Sequence, residues 1–160
     1  SPRTGSSRVN SWNYMCWKRQ VSPMDHPDKN VQFYANALRS DPDQSLISDV
    51  HTKYSHNLLE MSHGYIQWIF PVYENQGMNP YSQPLTKDGA RRIREDLEMS
   101  KRVVQSYRLM LDFYGMHLAD EFTGEIARAA NWEERYATHN FPFNHNWLRI
   151  SRIIVSLGEL

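Results

Sequence analysis

Residues Ser62–Pro71 read SHGYIQWIFP. Tyr65, Trp68 and Phe70, with Ile66 and Ile69, surround one polar residue, Gln67, before a proline ends the run. Burying a Trp or Phe side chain is worth roughly 1.5–3 kcal/mol relative to leaving it exposed. A segment this apolar must therefore lie in a core or line a groove. Ser62 is a candidate N-cap, and a helix carrying Tyr65, Ile66, Trp68 and Ile69 must finish before Pro71.

Working outward, the periodicity is helical on both sides. Asp28 is placed to cap a helix through about Ser40, with Val31, Tyr34 and Leu38 at helical spacing, ended by Asp41-Pro42-Asp43. A second helix begins near Gln44 and carries Leu46, Ile47, Val50 and Tyr54. After Pro71 comes a connector to Leu85, anchored by Met78, Tyr81 and Leu85. Thr86 then starts a helix to about Arg94, which runs on or bends near Asp96 into a long one ending at Tyr114. Its apolar stripe is Ile93, Leu97, Ser100, Val104, Tyr107, Leu111 and Tyr114, opposite Glu98, Arg102, Gln105, Arg108 and Asp112. Gly115 suits the left-handed residue after its end. Thr123 reads as the cap of a helix with Ile126, Ala127 and Ala130 that can continue through Trp132 and Tyr136 to Thr138. NFPFN (Asn140–Asn144) is a turn, and a last helix carries Trp147, Ile150, Ile153, Ile154 and Leu157. The aromatic clump WNYMCW (Trp12–Trp17) fits either a short helix or an extended arm. Residues 1–11 read as a flexible tail. The fold expected is all-α: a single-domain bundle of about six helices over residues 12–160, with loops pinned by aromatics.

The totals narrow the function. The 160 residues are 40% hydrophobic and 22% charged, enough for one domain with a sizeable core. Eighteen basic residues balance eighteen acidic ones, so no global field draws the chain to nucleic acid or an acidic membrane. The single cysteine, Cys16, rules out an internal disulfide framework and suits a reducing compartment. No run is long and apolar enough to span a bilayer.

SHGYIQWIFP resembles the HxYIQWxFP signature of the opioid growth factor receptor family. Four further stretches, in the same order, resemble its conserved region: NPYSQPLT (Asn79–Thr86), SYRLMLDFYGMHL (Ser106–Leu118), TGEIARAANWEERY (Thr123–Tyr136) and HNWLRISRIIVSLGEL (His145–Leu160). WNYMCWKR is similar to the family's entry segment. The resemblance implies a non-enzymatic receptor for the pentapeptide opioid growth factor, Met-enkephalin, acting at the nucleus and perinuclear cytoplasm to restrain proliferation. The family includes a receptor-like paralogue with the same domain. Its conserved region extends beyond LGEL into further helical sequence, so the chain is expected to be C-terminally truncated.

For chemistry the residues offer little catalytic material. Seven histidines occur without CxxC or HExxH, so no metal site is expected, and no cofactor is implied. Cys16 among tryptophans reads as an inert thiol. Lys87, Arg91, Arg92 and Arg94, with Arg149 and Arg152, could meet phosphates, but Asp88, Glu95 and Asp96 are interspersed and favour a mixed solvated surface. The candidate ligand-binding residues are groups set in apolar motifs: His63, Gln67, Trp68, Asn131, His145, Asn146 and Arg149. In the structural reading Gln67 and Asn131 bridge helices, His145 and Asn146 cap the last one, and Arg149 pairs with a carboxylate. In the functional reading some of them face a groove. An enkephalin site needs an acid, an apolar trough and a base such as Arg149 or Arg152. The last helix should also leave an apolar strip from Ile153, Ile154 or Leu157 uncovered, available for self-association or a protein partner.

Overall fold

Residues 65–71 of the SHGYIQWIFP run are buried in the core, while His63 is exposed. The computed structural model describes residues 28–74, 79–139 and 144–160, and in it Tyr65, Ile69 and Phe70 are fully buried and Trp68 almost so. Trp68 packs against Phe33, and its indole N–H donates to Asp41 O at 2.9 Å. The helix here is a single turn, α4 (Ile66–Ile69). Ser62 does not cap it. It ends the preceding helix, α3 (His56–Met61), which Ser55 caps by accepting from the Leu58 N–H. The Ser62 hydroxyl donates instead to Asp43 at 2.9 Å.

Around this turn sit α1 (Lys29–Tyr34), α2 (Ile47–Lys53), α5 (Lys87–Glu95) and α6 (Leu97–Phe113). Asp28 caps α1 and Thr86 caps α5, as the residue types require. The α1 helix stops earlier than its spacing suggests, because Asn36 takes a left-handed conformation (φ 62°). In the connector before α5, Leu85 is buried, but Tyr81 is exposed and the other anchors are the buried polar residues Asn79 and Ser82. Met78 lies outside the described residues. Asp96 separates α5 from α6. It is extended (φ −88°, ψ 121°), and its carboxylate accepts from the N–H groups of Glu98 and Met99.

The inward face of α6 adds Met99, Val103, Ser106, Met110 and Phe113 to the expected Tyr107, Leu111 and Tyr114, a rotation of the stripe that leaves Leu97 68% exposed. Two polar contacts set this rotation. Arg102 reaches across to donate to Tyr34 O at 2.7 Å, and fully buried Ser106 meets His51 Nε2 at 2.8 Å. Periodicity cannot see that a serine has a partner inside.

The all-α expectation is corrected after Gly115. Its φ of +79° ends α6, and a Cβ there would come 2.9 Å from the Trp132 backbone. A hairpin follows: β1 (Met116–Asp120) pairs antiparallel with β2 (Glu125–Arg128) where a helix was expected from Thr123. Turn chemistry outweighs the Ile126/Ala127/Ala130 spacing. The Asp120 carboxylate accepts from the Phe122 and Thr123 N–H groups, and Gly124 supplies φ +75°. Helix α7 (Trp132–His139) is separate. The fold is thus mostly helical, with eight helices and this two-stranded sheet among the described residues.

The last helix, α8 (Asn146–Glu159), is turned over relative to its composition. It buries Asn146, Arg149, Ile153 and Ser156. Trp147, Leu148, Ile150, Ile154 and Val155 face outward. Of the strip expected to lie open, Ile154 is exposed, Leu157 is half-buried and Ile153 is in the core. The inward polar groups hold α8 to backbone carbonyls: Ser156 Oγ donates to Pro71 O at 2.7 Å, and Arg152 Nε to Phe70 O at 2.8 Å. The tail at residues 1–11, WNYMCW and most of NFPFN lie outside the described residues.

Candidate functional site

Four of the seven candidate residues converge where α8 meets the end of α3. Arg149 is the centre. From its buried position, one guanidinium nitrogen donates to Leu59 O at 2.8 Å and another to Ser62 O at 2.7 Å and Glu60 O at 3.4 Å. It thereby serves the unpaired carbonyls at the α3 C-terminus, the end that also attracts positive charge. It pairs with carbonyl oxygens, those of the backbone and that of the Asn146 side chain at 3.3 Å, not with a carboxylate, and it is 5% exposed.

Beside it, buried Asn146 accepts from the Tyr114 hydroxyl (3.2 Å) and donates to Glu60 (3.0 Å). His145 lies 3.2 Å from the other Glu60 oxygen and meets His63 at a tilt of 48°, with ring centroids 5.2 Å apart. Burial and the nearby Arg149 lower the pKa of His145, with Glu60 acting the other way. The side chain that begins α8 is Asn144, which accepts from the Asn146 N–H at 2.9 Å; His145 makes no capping bond.

The other three lie elsewhere. Trp68 is a core residue. Gln67 is nearly buried, and with its amide turned so that the NH2 points inward it reaches His63 O and Gly64 O at 3.0 and 3.3 Å, a local link rather than a bridge between helices. Asn131 does bridge, donating to the carbonyl and carboxylate of Asp112 near the end of α6, both at 3.2 Å.

The Ser106–His51 contact has the residue types of a nucleophile and base, but Ser106 is completely buried, and no substrate can reach it. Among the described residues no three His, Cys, Asp or Glu side chains are grouped to hold a metal, and no helix is long and apolar enough to cross a membrane. In the basic patch, Arg91 is held by both Asp88 and Glu95 at 2.7 Å. Arg149 and the Arg152 Nε face inward, so the six cations do not form one phosphate-binding surface.

An open groove of about 660 Å³ lies between the Val72–Glu74 segment and the outer side of α8. Val72, Leu148 and Val155 give it an apolar lining, Tyr73 an aromatic ring, Glu74 and Glu159 carboxylates, and Arg152 a guanidinium. Tyr73 and Glu159 fix its edge, with Tyr73 N–H donating to Glu159 Oε2 at 2.7 Å and the Tyr73 hydroxyl to Glu159 O at 3.1 Å. Of these residues only Arg152 stands out in the sequence. The signal for the others is the apolar pair Leu148/Val155, seven residues apart and so on one helical face, which reads as core until the polar residues of α8 are known to be inside.

The chain matches the opioid growth factor receptor (OGFr) conserved region over residues 24–160. It belongs to the opioid growth factor receptor family. It is 43% identical over 133 residues to the opioid growth factor receptor of Rattus norvegicus, covering 82% of this chain and 23% of the rat protein. To the opioid growth factor receptor of Homo sapiens it is 38% identical over 168 residues, covering all of this chain and 24% of the human protein. To the opioid growth factor receptor-like protein 1 of Mus musculus it is 42% identical over 133 residues, 82% of this chain and 28% of that protein. The chain thus spans about a quarter of the length of these relatives. No solved structure matches it. Within the family region, the histidine–Arg149 cluster joins α8 to the end of α3, and the α8 groove is an open concave surface among the described residues.

Proposed function

We propose that this chain is a non-enzymatic recognition domain that takes a short aromatic peptide into the groove beside α8, and that the peptide is opioid growth factor, Met-enkephalin. The protein that carries it would act at the nucleus and perinuclear cytoplasm to restrain proliferation. The observation that carries the reading is an apolar, aromatic-edged groove with both signs of charge on its rim. Met-enkephalin offers matching chemistry: two aromatic rings, a methionine, a terminal amine and a carboxylate. That the rat and human relatives are opioid growth factor receptors adds support. Calorimetric titration of the chain with Met-enkephalin tests it, beside Leu148→Asp and Val155→Asp, both at exposed positions. Saturable heat that either variant removes supports the reading. No heat, or equal heat with both variants, ends it.

The outer α8 face favours a second reading, association with another copy of the chain. Trp147, Ile150 and Ile154 form an uncharged line 39–67% exposed, with Ser151 and Gly158 between and after them. Sedimentation of the chain and of Ile154→Glu decides it: a concentration-dependent dimer that the glutamate abolishes is expected, and a monomer throughout rejects it.

A further inference from the structure

Helix α7 is held to the rest of the fold by polar groups. Arg135 is its one buried residue. Its rings face each other instead of the core: Trp132 and Tyr136 stack with centroids 5.1 Å apart, the Arg128 guanidinium lies over Trp132, and Tyr136 is 49% exposed. Arg135 Nε donates to Phe113 O at 2.7 Å, with its guanidinium 4.8 Å from the centre of the Phe113 ring. His139, the last residue of the helix, packs on the same ring at 4.6 Å and sets Nε2 3.1 Å from the same carbonyl. On its other side, Nδ1 lies 3.3 Å from Asn146 Nδ2, at the start of α8. A helix that buries so little apolar surface opens at a lower cost than the core around it.

The partners decide which protons the His139 ring can carry. The Asn146 amide is fixed, because its oxygen meets the Arg149 guanidinium at 3.3 Å and its nitrogen the Glu60 carboxylate at 3.0 Å. Asn146 therefore turns an N–H toward Nδ1, which must offer a lone pair, and the ring proton sits on Nε2, facing Phe113 O. A second proton would go to Nδ1, against the Asn146 N–H, and would place a cation 2.9 Å from an Arg135 nitrogen. The other groups facing the ring are Tyr114 from the end of α6, with ring centroids 5.3 Å apart, His145 ahead of α8, and Glu60 from α3. Glu60 is the anion among them, and its oxygens are turned to Asn146 and His145. Burial lowers the His139 pKa, against the pull of the Phe113 carbonyl; Arg135 and His145 add to the lowering and Glu60 opposes it.

We propose that His139 is a proton-sensitive latch on α7. Protonation of its ring breaks the bond from Asn146 and sets two cations against each other, so the C-terminal end of α7 leaves Phe113 and α8 while the core stays folded. The open arm accepts a proton near pH 6.5, the ordinary value for an imidazole, and the closed one only at lower pH. Closure is therefore complete above pH 6.5 and is lost as pH falls below it. The latch shares no residue with the α8 groove, so its test is independent of the peptide reading.

Hydrogen–deuterium exchange of the 160-residue chain, read by mass spectrometry at pH 7.5 and 5.5 and corrected for intrinsic exchange, tests it. Opening of residues 132–139 should rise by up to about tenfold at the lower pH. His51→Gln, which removes a titrating group of the core, should leave that rise in place. His139→Gln, which keeps an N–H for Phe113 O and takes up no proton, should abolish it. No rise, a rise that His139→Gln keeps, or one that His51→Gln removes overturns the proposal. Nitrogen NMR of the parent's histidines is a second measurement that needs no variant to fold. His139 should be neutral at pH 7.5 with its proton on Nε2, and should titrate below pH 6.5. A proton on Nδ1, or titration above pH 6.5, counts equally against it.

Discussion

Arg149 shows how one side chain can join two elements. Its guanidinium meets carbonyls of Leu59, Glu60 and Ser62, and lies over the Tyr65 ring at 5.6 Å. Arg149→Ala takes this donor from the part-buried Ser62 and Glu60 carbonyls, while Leu59 O keeps the Tyr65 hydroxyl at 3.0 Å; at about 1–3 kcal/mol for each lost partner, urea unfolding should show a loss of about 2–5 kcal/mol. Arg149→Lys should recover little of it, because an ammonium cannot reproduce the planar fork. Trp68→Ala belongs at the same scale: the ring is 1% exposed, and a loss of about 3–5 kcal/mol is expected for such a truncation. A mutant with the parent's urea midpoint would contradict the packing. The residue types were legible here and their partners were not. Arg149 stood out because it sits among isoleucines, but only the chain's return to α3 supplies its carbonyls.

At the scale of elements, α8 makes the clearest test, since it buries Asn146, Arg149 and Ser156 beside Ile153 while Trp147, Leu148, Ile150, Ile154 and Val155 stay exposed. Ile154→Glu changes a residue that is 67% exposed and should leave the melting temperature of the monomer within error, about 0.5 kcal/mol. Ser156→Leu replaces a fully buried hydroxyl that donates to Pro71 O, and should cost about 1–3 kcal/mol through overpacking and an unmet carbonyl. Thermal melts of the two variants check the orientation directly; the opposite ranking would mean that α8 lies the other way up. The elements with local signals were readable: Asp28, Thr86 and Gly115 act as their types demand. The hairpin was hidden because alanines and an isoleucine at helical spacing sit beside a turn whose decisive bonds come from one aspartate.

For the whole molecule, pH reports on the core. Burial, and then the nearby Arg102, push the pKa of His51 down to about 4. In the unfolded chain an imidazole titrates near 6.5, so below that value the unfolded state takes up a proton that the folded state refuses. Stability is therefore complete above pH 6.5 and falls as pH drops toward 4. Between pH 7.5 and 5 the loss from His51 alone should be about 2 kcal/mol, and His139 and His145 are shifted in the same direction. Urea midpoints across this range check it, and His51→Gln should flatten the dependence; an equal slope would place the effect elsewhere. By itself, the sequence determined that the chain is chiefly helical, where caps and prolines divide it, and that the apolar residues of SHGYIQWIFP must lie in a core or line a groove, because these follow from side-chain size, apolar area and backbone preference within a few residues. Only the tertiary structure decided the inward line of α6, the overturned face of α8 and the joint around Arg149. Each depends on a buried polar group finding its partner 50 to 90 residues away, and no local pattern encodes which partner the fold brings within reach.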